Sequence, residues 1–188
     1  MRIARILGPV HSLGPGERLC LWMQGCSKKC EGCISPEMQP SDAPNLDNRL
    51  VAELTIDMAR KNHCTDLTIS GGDPLEQGED LLEYLQLVRA SFRDILVYTG
   101  FTMQEIMDEE AEASKRKLLS LIDVLIDGRY IDSLNTDDCV LRGSSNQVIH
   151  YLNPNVRDWY EEYMKKGRIR EPFLMGDQVV MTGIRNNG

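Results

Sequence analysis

The chain has 188 residues and a formal net charge of −8, the length of one domain with enough chain to bury a core, so a single domain over 1–188 is expected. Its acidic balance argues against nucleic acid as a partner, because sequence-blind binding to a phosphate backbone needs a basic surface. Hydrophobic residues at 41% and charged residues at 27% are ordinary for a globular protein, and no apolar run approaches the roughly 18 residues of a membrane span.

In chain order, Met1-Arg-Ile-Ala-Arg-Ile-Leu has two arginines but no long apolar stretch or small-residue cleavage site, so a signal peptide is not expected and the protein is placed in the cytoplasm. Val10 to Arg18 is a Gly/Pro-rich loop leading into Leu19-Cys-Leu-Trp-Met-Gln24, a short apolar strand. A proline-punctuated loop covers 36–44. Asp47 then caps a helix running to about Asn62, with Leu50, Val51, Leu54, Ile56 and Met58 as its apolar face. Asp66 to Ser70 is a second strand, which completes a parallel βαβ unit and ends in Gly71-Gly72-Asp73-Pro74. Glu79–Phe92 reads as a second helix and Ile95–Thr99 as a third strand. A helical region follows from Met103 to about Leu121, with a break near 111–114, and its acidic run 108–112 reads as a solvated face. Ile122–Asp127 is the fourth strand and Val148–Leu152 the fifth; Asn155–Lys166 is helical and Gln178–Thr182 a last strand. Lys165, Lys166, Arg168 and Arg170 read as a solvated helix end.

The chemistry concentrates in Cys26-Ser-Lys-Lys-Cys30-Glu-Gly-Cys33. Three thiols at C-x3-C-x2-C spacing on one polar loop after a strand can converge on a metal centre. Iron–sulfur cubes and structural zinc sites usually take four protein ligands, so three thiolates suggest a centre with one open position for a substrate or cofactor. The alternatives are a zinc knuckle completed by His63 or Cys64, or three buried thiols acting as small hydrophobes; Ser27, Lys28, Lys29 and Glu31 make the segment too polar for the second. Cys20, Cys64 and Cys139 show no disulfide-framework spacing and are expected to pack in a reducing compartment. His11, His63 and His150 have no partner pattern.

The triplet resembles the signature of the radical S-adenosylmethionine (SAM) superfamily. That resemblance implies a [4Fe-4S] cluster whose fourth iron binds SAM, and reductive cleavage of SAM to a 5′-deoxyadenosyl radical that abstracts hydrogen. Gly14-Pro15-Gly16 and Arg18 resemble the opening of glycyl-radical-enzyme activases, with Leu13 where that pattern has Asp. Gly71-Gly72-Asp73-Pro74-Leu75, Tyr98-Thr-Gly-Phe101, Asp123-Val-Leu-Ile-Asp-Gly-Arg-Tyr130 and Leu141-Arg-Gly-Ser-Ser-Asn-Gln147 resemble segments of the activating proteins of anaerobic ribonucleotide reductases.

The resemblance carries over residue by residue. Cys26, Cys30 and Cys33 would ligate iron, and the Gly32 backbone would lie near adenine. Gly71, Gly72 and Asp73 would hold the methionyl end, Asp127 and Arg129 the ribose or carboxylate, and Asn146 the adenosyl group. The implied fold is α/β, a single-domain partial (β/α) barrel with a mainly parallel sheet. The implied partners are a glycyl radical enzyme, expected to be an anaerobic ribonucleotide reductase, and an electron donor such as flavodoxin or ferredoxin. Two rival functions stay open: a small radical SAM enzyme acting on a peptide or small molecule, and a non-enzymatic zinc-binding interaction module.

Overall fold

The computed structural model describes residues 1–108 and 110–185; Glu109, within the acidic run read as a solvated face, and residues 186–188 lie outside the described residues. One six-stranded sheet organises the chain. Its strands are Ile3–Val10 (β1), Arg18–Met23 (β2), Asp66–Gly71 (β3), Asp94–Tyr98 (β4), Val124–Asp127 (β5) and Val148–Tyr151 (β6), in that spatial order. The four central strands are parallel, while β1 and β6 pair antiparallel at the two edges. The sheet is therefore mixed, with the mainly parallel reading correct for its centre.

Strand β1 escaped the sequence reading because Ile-Ala-Arg-Ile-Leu-Gly-Pro-Val does not alternate cleanly and is half-buried along most of its length. An edge strand also tolerates Pro9, whose missing N–H would break a central ladder. The inner strands are read easily because both their faces are covered, which makes them continuous apolar runs.

Period-2 alternation divides the core. Leu19, Leu21, Met23, Leu67, Ile69, Ile95, Val97 and Leu125 pack with Asn48–Lys61 (α1), Gly78–Val88 (α2) and Ala113–Leu118 (α4). The alternate residues serve the other face: Leu96, Val124 and Ile126 meet Tyr160 and Tyr163 of Arg157–Met164 (α5), and Cys20 and Trp22 meet Leu13 and Met38.

Asp47 caps α1 as expected, accepting from the Arg49 and Leu50 amides at 2.9 and 3.0 Å. The expected face of that helix is met by Val51, Ile56 and Met58, which pack on the core, but Leu50 and Leu54 are exposed and Ala52, Thr55 and Ala59 are buried in their stead. Small side chains let α1 approach α2 closely enough for the Tyr84 hydroxyl to reach Thr55 Oγ1 at 3.0 Å, so shape outweighs hydrophobicity. The helix expected over 103–121 divides into Met103–Met107 (α3), α4 and a 3-10 turn. Thr102 and Glu105 form a capping box that starts α3, and the acidic run after it is unfavourable at a helix C-terminus.

At the N-terminal end of the parallel strands, the fully buried Arg18 guanidinium donates to Asp94 Oδ2 at 2.7 Å, Thr68 Oγ1 at 2.6 Å and the carbonyls of Pro15 and Leu67. The Tyr160 hydroxyl donates to the same Asp94 oxygen at 2.6 Å. This ion pair ties β2, β3, β4 and α5 together at the end of the sheet opposite the cysteine loop.

The last expected strand forms as Gln178–Thr182 (β8), but it pairs with Glu171–Met175 (β7) in a separate two-stranded sheet. Glu171 Oε1 accepts from the backbone amides of His11 and Ser12, each at 2.6 Å, and the Ser12 and Thr182 hydroxyls meet at 2.8 Å. Glu171→Ala is expected to speed amide exchange through 171–182 about tenfold, the equivalent of about 1.4 kcal/mol, with the six-stranded sheet unaffected. Unchanged exchange in the hairpin would refute this anchoring role.

Of the basic cluster, Lys165 pairs with Glu162 on the surface, as a solvated helix end should. Arg168 does not: it donates to Asn135 Oδ1 at 2.6 Å and to the carbonyls of Thr136, Cys139 and Arg185, which fastens the loop before β6 to the C-terminal segment.

Candidate functional site

The C-terminal ends of β2, β3, β4 and β5 open into one cavity of about 1110 Å³, the position at which open parallel sheets place their ligands. It lies at or above the upper end of the roughly 300–1,000 Å³ typical of small-molecule pockets. Cys26, Cys30 and Cys33 all line it, as free, half-buried thiols. Gly32, Gly71, Gly72 and Asp73 line it as well, so seven of the residues singled out from sequence come together.

The loop that carries the thiols is fastened on three sides. Gly25 turns the chain out of β2 with φ +110, and the amides of Gly25 and Cys26 donate to the Met38 and Gln39 carbonyls at 2.8 and 2.9 Å. Glu76 Oε1 accepts from both the amide and the hydroxyl of Ser27, at 2.8 and 2.6 Å. The Lys28 ammonium lies 3.3 Å from the Phe101 ring centroid, a cation–π contact that ties the loop to the end of β4. Lys29 adopts φ +47. Burial pushes the Cys26 thiol up, and the nearby backbone groups of Lys28 and Lys29 work against it.

The two glycines after β3 have a reason that the sequence did not disclose. A Cβ on Gly71 would meet the Met23 carbonyl oxygen at 2.3 Å, and one on Gly72 would meet the Gly25 carbonyl oxygen at 2.2 Å. Their bareness is required by neighbouring backbone, whatever a ligand also demands. Gly72→Ala must push Gly25 aside and with it the adjoining Cys26; a loss of about 1–3 kcal/mol and reduced iron content after anaerobic reconstitution are expected. A fully loaded variant of native stability would contradict this.

Asp73 is buried, and its carboxylate accepts from Thr99 Oγ1 at 2.8 Å, from the Gly100 amide at 3.0 Å and from the Leu75 amide at 3.1 Å. Burial pushes its pKa up, with these three donors opposing. It thereby joins the ends of β3 and β4 beneath the cysteine loop.

Three further sequence candidates lie elsewhere. Asp127 is buried and its oxygens accept from the amides of Met103 and Val148, with His150 Nε2 at 2.9 Å. Arg129 is exposed. Asn146 turns its side-chain amide to the Arg129 carbonyl at 2.8 Å. In their place Gly128, Tyr130, Gly143 and Gln147 line the cavity. Gln147 accepts from the Gly143 amide at 2.7 Å and donates to the Gly128 carbonyl at 2.7 Å, which explains why the Arg-Gly-Ser-Ser-Asn-Gln segment is built as it is. Thr99, Gly100, Lys28 and Glu76 were also missed, because their partners lie tens of residues away. Leu13, which replaces the Asp of the activase pattern, is buried against Trp22 and Met38 and forms part of an apolar wall.

The zinc knuckle does not fit. His63 and Cys64 precede β3, whereas the cysteine loop follows the other end of β2; with Arg18 opposite Asp66 and Met23 opposite Gly71, five strand steps of about 3.3 Å separate them. Burial pushes the Cys64 thiol up to about 11 and the Cys20 thiol up to about 12, so both are packing groups. Among the described residues, the donors that converge within 4.8 Å are Cys26, Asp73 and Glu76, not the three thiols. A single zinc with Zn–S bonds of about 2.3 Å would need its thiolates roughly 3.8 Å apart, whereas the corners of a four-iron cube stand wider.

A family model described as a 4Fe-4S single cluster domain matches residues 12–150. Anaerobic ribonucleoside-triphosphate reductase-activating proteins are similar to the chain over most of its length. The one from Salmonella typhi is 32% identical over 149 residues, covering 74% of this chain and 91% of that protein. The one from Haemophilus influenzae is 34% identical over 143 residues (73% and 89%), and the one from Enterobacteria phage T4 33% identical over 138 residues (71% and 83%). The chain belongs to this family of activating proteins. Its cofactors are accordingly a [4Fe-4S] cluster and SAM, and it is a radical SAM enzyme. The zinc interaction module is set aside. The matched region stops at residue 150; α5 and the β7–β8 hairpin follow it, and the hairpin supplies Val180, Thr182 and their neighbours to the cavity wall. Free thiols on one loop beside backbone that tolerates no side chain are a donor set suited to a cluster with one exchangeable corner.

Proposed function

We propose that Cys26, Cys30 and Cys33 hold the cluster, that SAM occupies the cavity beside Gly32, Gly71, Gly72 and Asp73, and that the substrate is the anaerobic ribonucleoside-triphosphate reductase. The observation that carries this reading is the placement of three free thiols on one clamped loop at the mouth of a cavity formed by four strand ends. When bound, cluster and SAM together supply one-electron cleavage of the sulfonium to methionine and a 5′-deoxyadenosyl radical. With both bound, abstraction of a Cα hydrogen atom from a glycine of the partner would give 5′-deoxyadenosine and a glycyl radical. The electron would come from an external donor such as a flavodoxin or ferredoxin.

The chain's own residues bind, orient and shield. Asp73, clamped by Thr99 and Gly100, holds the ends of β3 and β4 at a set spacing; Trp22, Leu13 and Met38 exclude water from one wall. We assign Asp127, Arg129 and Asn146 a supporting place beside Gly128, Tyr130 and Gln147 of the cavity lining: Asp127 accepts from the Met103 and Val148 amides, and Asn146 donates to the Arg129 carbonyl. A single domain over 1–188 whose sheet curves as a partial barrel, open on one side, would admit a loop of a macromolecular substrate.

Anaerobic incubation with SAM, a reductant and the cognate reductase is expected to yield 5′-deoxyadenosine and an electron paramagnetic resonance doublet on the reductase. Release of 5′-deoxyadenosine without that doublet would remove the partner assignment and leave SAM cleavage standing.

A further inference from the structure

Glu76 belongs to no motif that the sequence singles out, yet it reaches the cysteine loop. It is half-buried, one carboxylate oxygen is held by the Ser27 amide and hydroxyl at 2.8 and 2.6 Å, and the carboxylate lies within 4.8 Å of both the Cys26 sulfur and Asp73. Of the two lysines on the same loop, Lys28 is turned onto the Phe101 ring at 3.3 Å.

We propose that Glu76 is a positioning residue with an electrostatic role as well. It seats the cysteine loop through Ser27, and its negative charge beside Cys26 holds down the reduction potential of the cluster bound there. The inference rests on the cluster assignment proposed above. Reduction adds one electron, supplied by the external donor, and makes the cube with its thiolates one unit more negative. A fixed carboxylate at this range opposes that addition, because like charges a few ångströms apart repel even at an effective dielectric of about 20. Net charge around the cube is one of the factors that set its potential.

Two variants separate seating from charge. Glu76→Gln keeps an oxygen for Ser27 and removes the charge; Ser27→Ala keeps the charge and removes one of the two hydrogen bonds. In a potentiometric titration of the reconstituted full chain, followed by the paramagnetic signal of the reduced cluster, E76Q is expected to load fully. Its ratio of reduced to oxidised cluster at a fixed potential should rise about tenfold, a shift of about 59 mV. S27A should titrate with the wild type while releasing iron to a chelator several-fold faster, and Glu76→Ala should show both changes. A wild-type cluster whose potential is unmoved in E76Q overturns this inference alone, as does an equal shift in S27A. A wild-type protein that assembles no redox-active cluster overturns the proposed function and this inference with it.

Discussion

Cys30→Ser is expected to leave the fold intact and lower both cluster content and 5′-deoxyadenosine formation by at least about 100-fold, beyond the 10- to 100-fold typical of losing a residue that merely orients a metal ligand. The reason is chemical, since a thiolate is the ligand that iron–sulfur clusters require and a serine hydroxyl does not ionise near neutral pH. Cys30 is half-buried on the loop and outside the three core clusters, so no cavity is opened. Iron and sulfide analysis, the visible absorption of the cluster and 5′-deoxyadenosine release measure the effect, with far-ultraviolet circular dichroism as the control. The same result is expected for Cys26→Ser and Cys33→Ser. A serine variant that keeps its cluster and cleaves SAM would mean that the triplet does not ligate as proposed.

The largest expected effect on stability lies at the other end of the strands. Arg18→Ala removes a guanidinium with no exposed surface and leaves Asp94, equally buried, facing only the Tyr160 hydroxyl. Breaking a buried pair by removing one partner costs about 3–5 kcal/mol, a large part of the 5–15 kcal/mol that holds a typical domain together. Arg18→Met should cost nearly as much, because it keeps the methylene stem and still strands the carboxylate. A double change to Arg18→Met with Asp94→Leu should recover most of the loss, since an apolar pair needs no counter-charge. Urea unfolding followed by circular dichroism is the measurement. A loss below about 1 kcal/mol for Arg18→Ala would show that the pair is dispensable. Cluster loading under native conditions should survive, because five residues of extended strand, about 17 Å, separate Arg18 from the cavity.

The two ends of β2 also show why the sequence was legible in parts. Strands β2 to β5 are apolar runs a few residues long, ended by glycine or by polar residues, and that pattern is local; it was readable without the partners. The cysteine loop was readable for the same reason, its three thiols lying within eight residues. The identity of the cavity wall was not. Asp127 and Gln147 belong to motifs that look equally functional in one dimension, yet the docking of α3 and register with β6 give the Asp127 oxygens to the Met103 and Val148 amides, and Gln147 stays on the cavity. Likewise Leu50 and Leu54 are the more hydrophobic residues of α1, but Ala52 and Ala59 face the core, because close approach to a neighbouring helix selects for small side chains.

What the sequence determined by itself was therefore whatever depends on spacing along the chain: the α/β class, the Asp47 cap, the ends of the inner strands and the cysteine triplet with its Gly-Gly-Asp-Pro turn. The tertiary structure alone decided the antiparallel edge strand β1, the hairpin folded over the cavity, the buried Arg18 and Asp94 pair and the grip of Glu76 on the cysteine loop. Apart from the pairing of β1 with the neighbouring β2, each of these is a contact between segments tens of residues apart, set by sheet register and by the docking of one loop on another. Hydrophobic periodicity reports which residues of a segment are buried and is silent on which distant segment buries them.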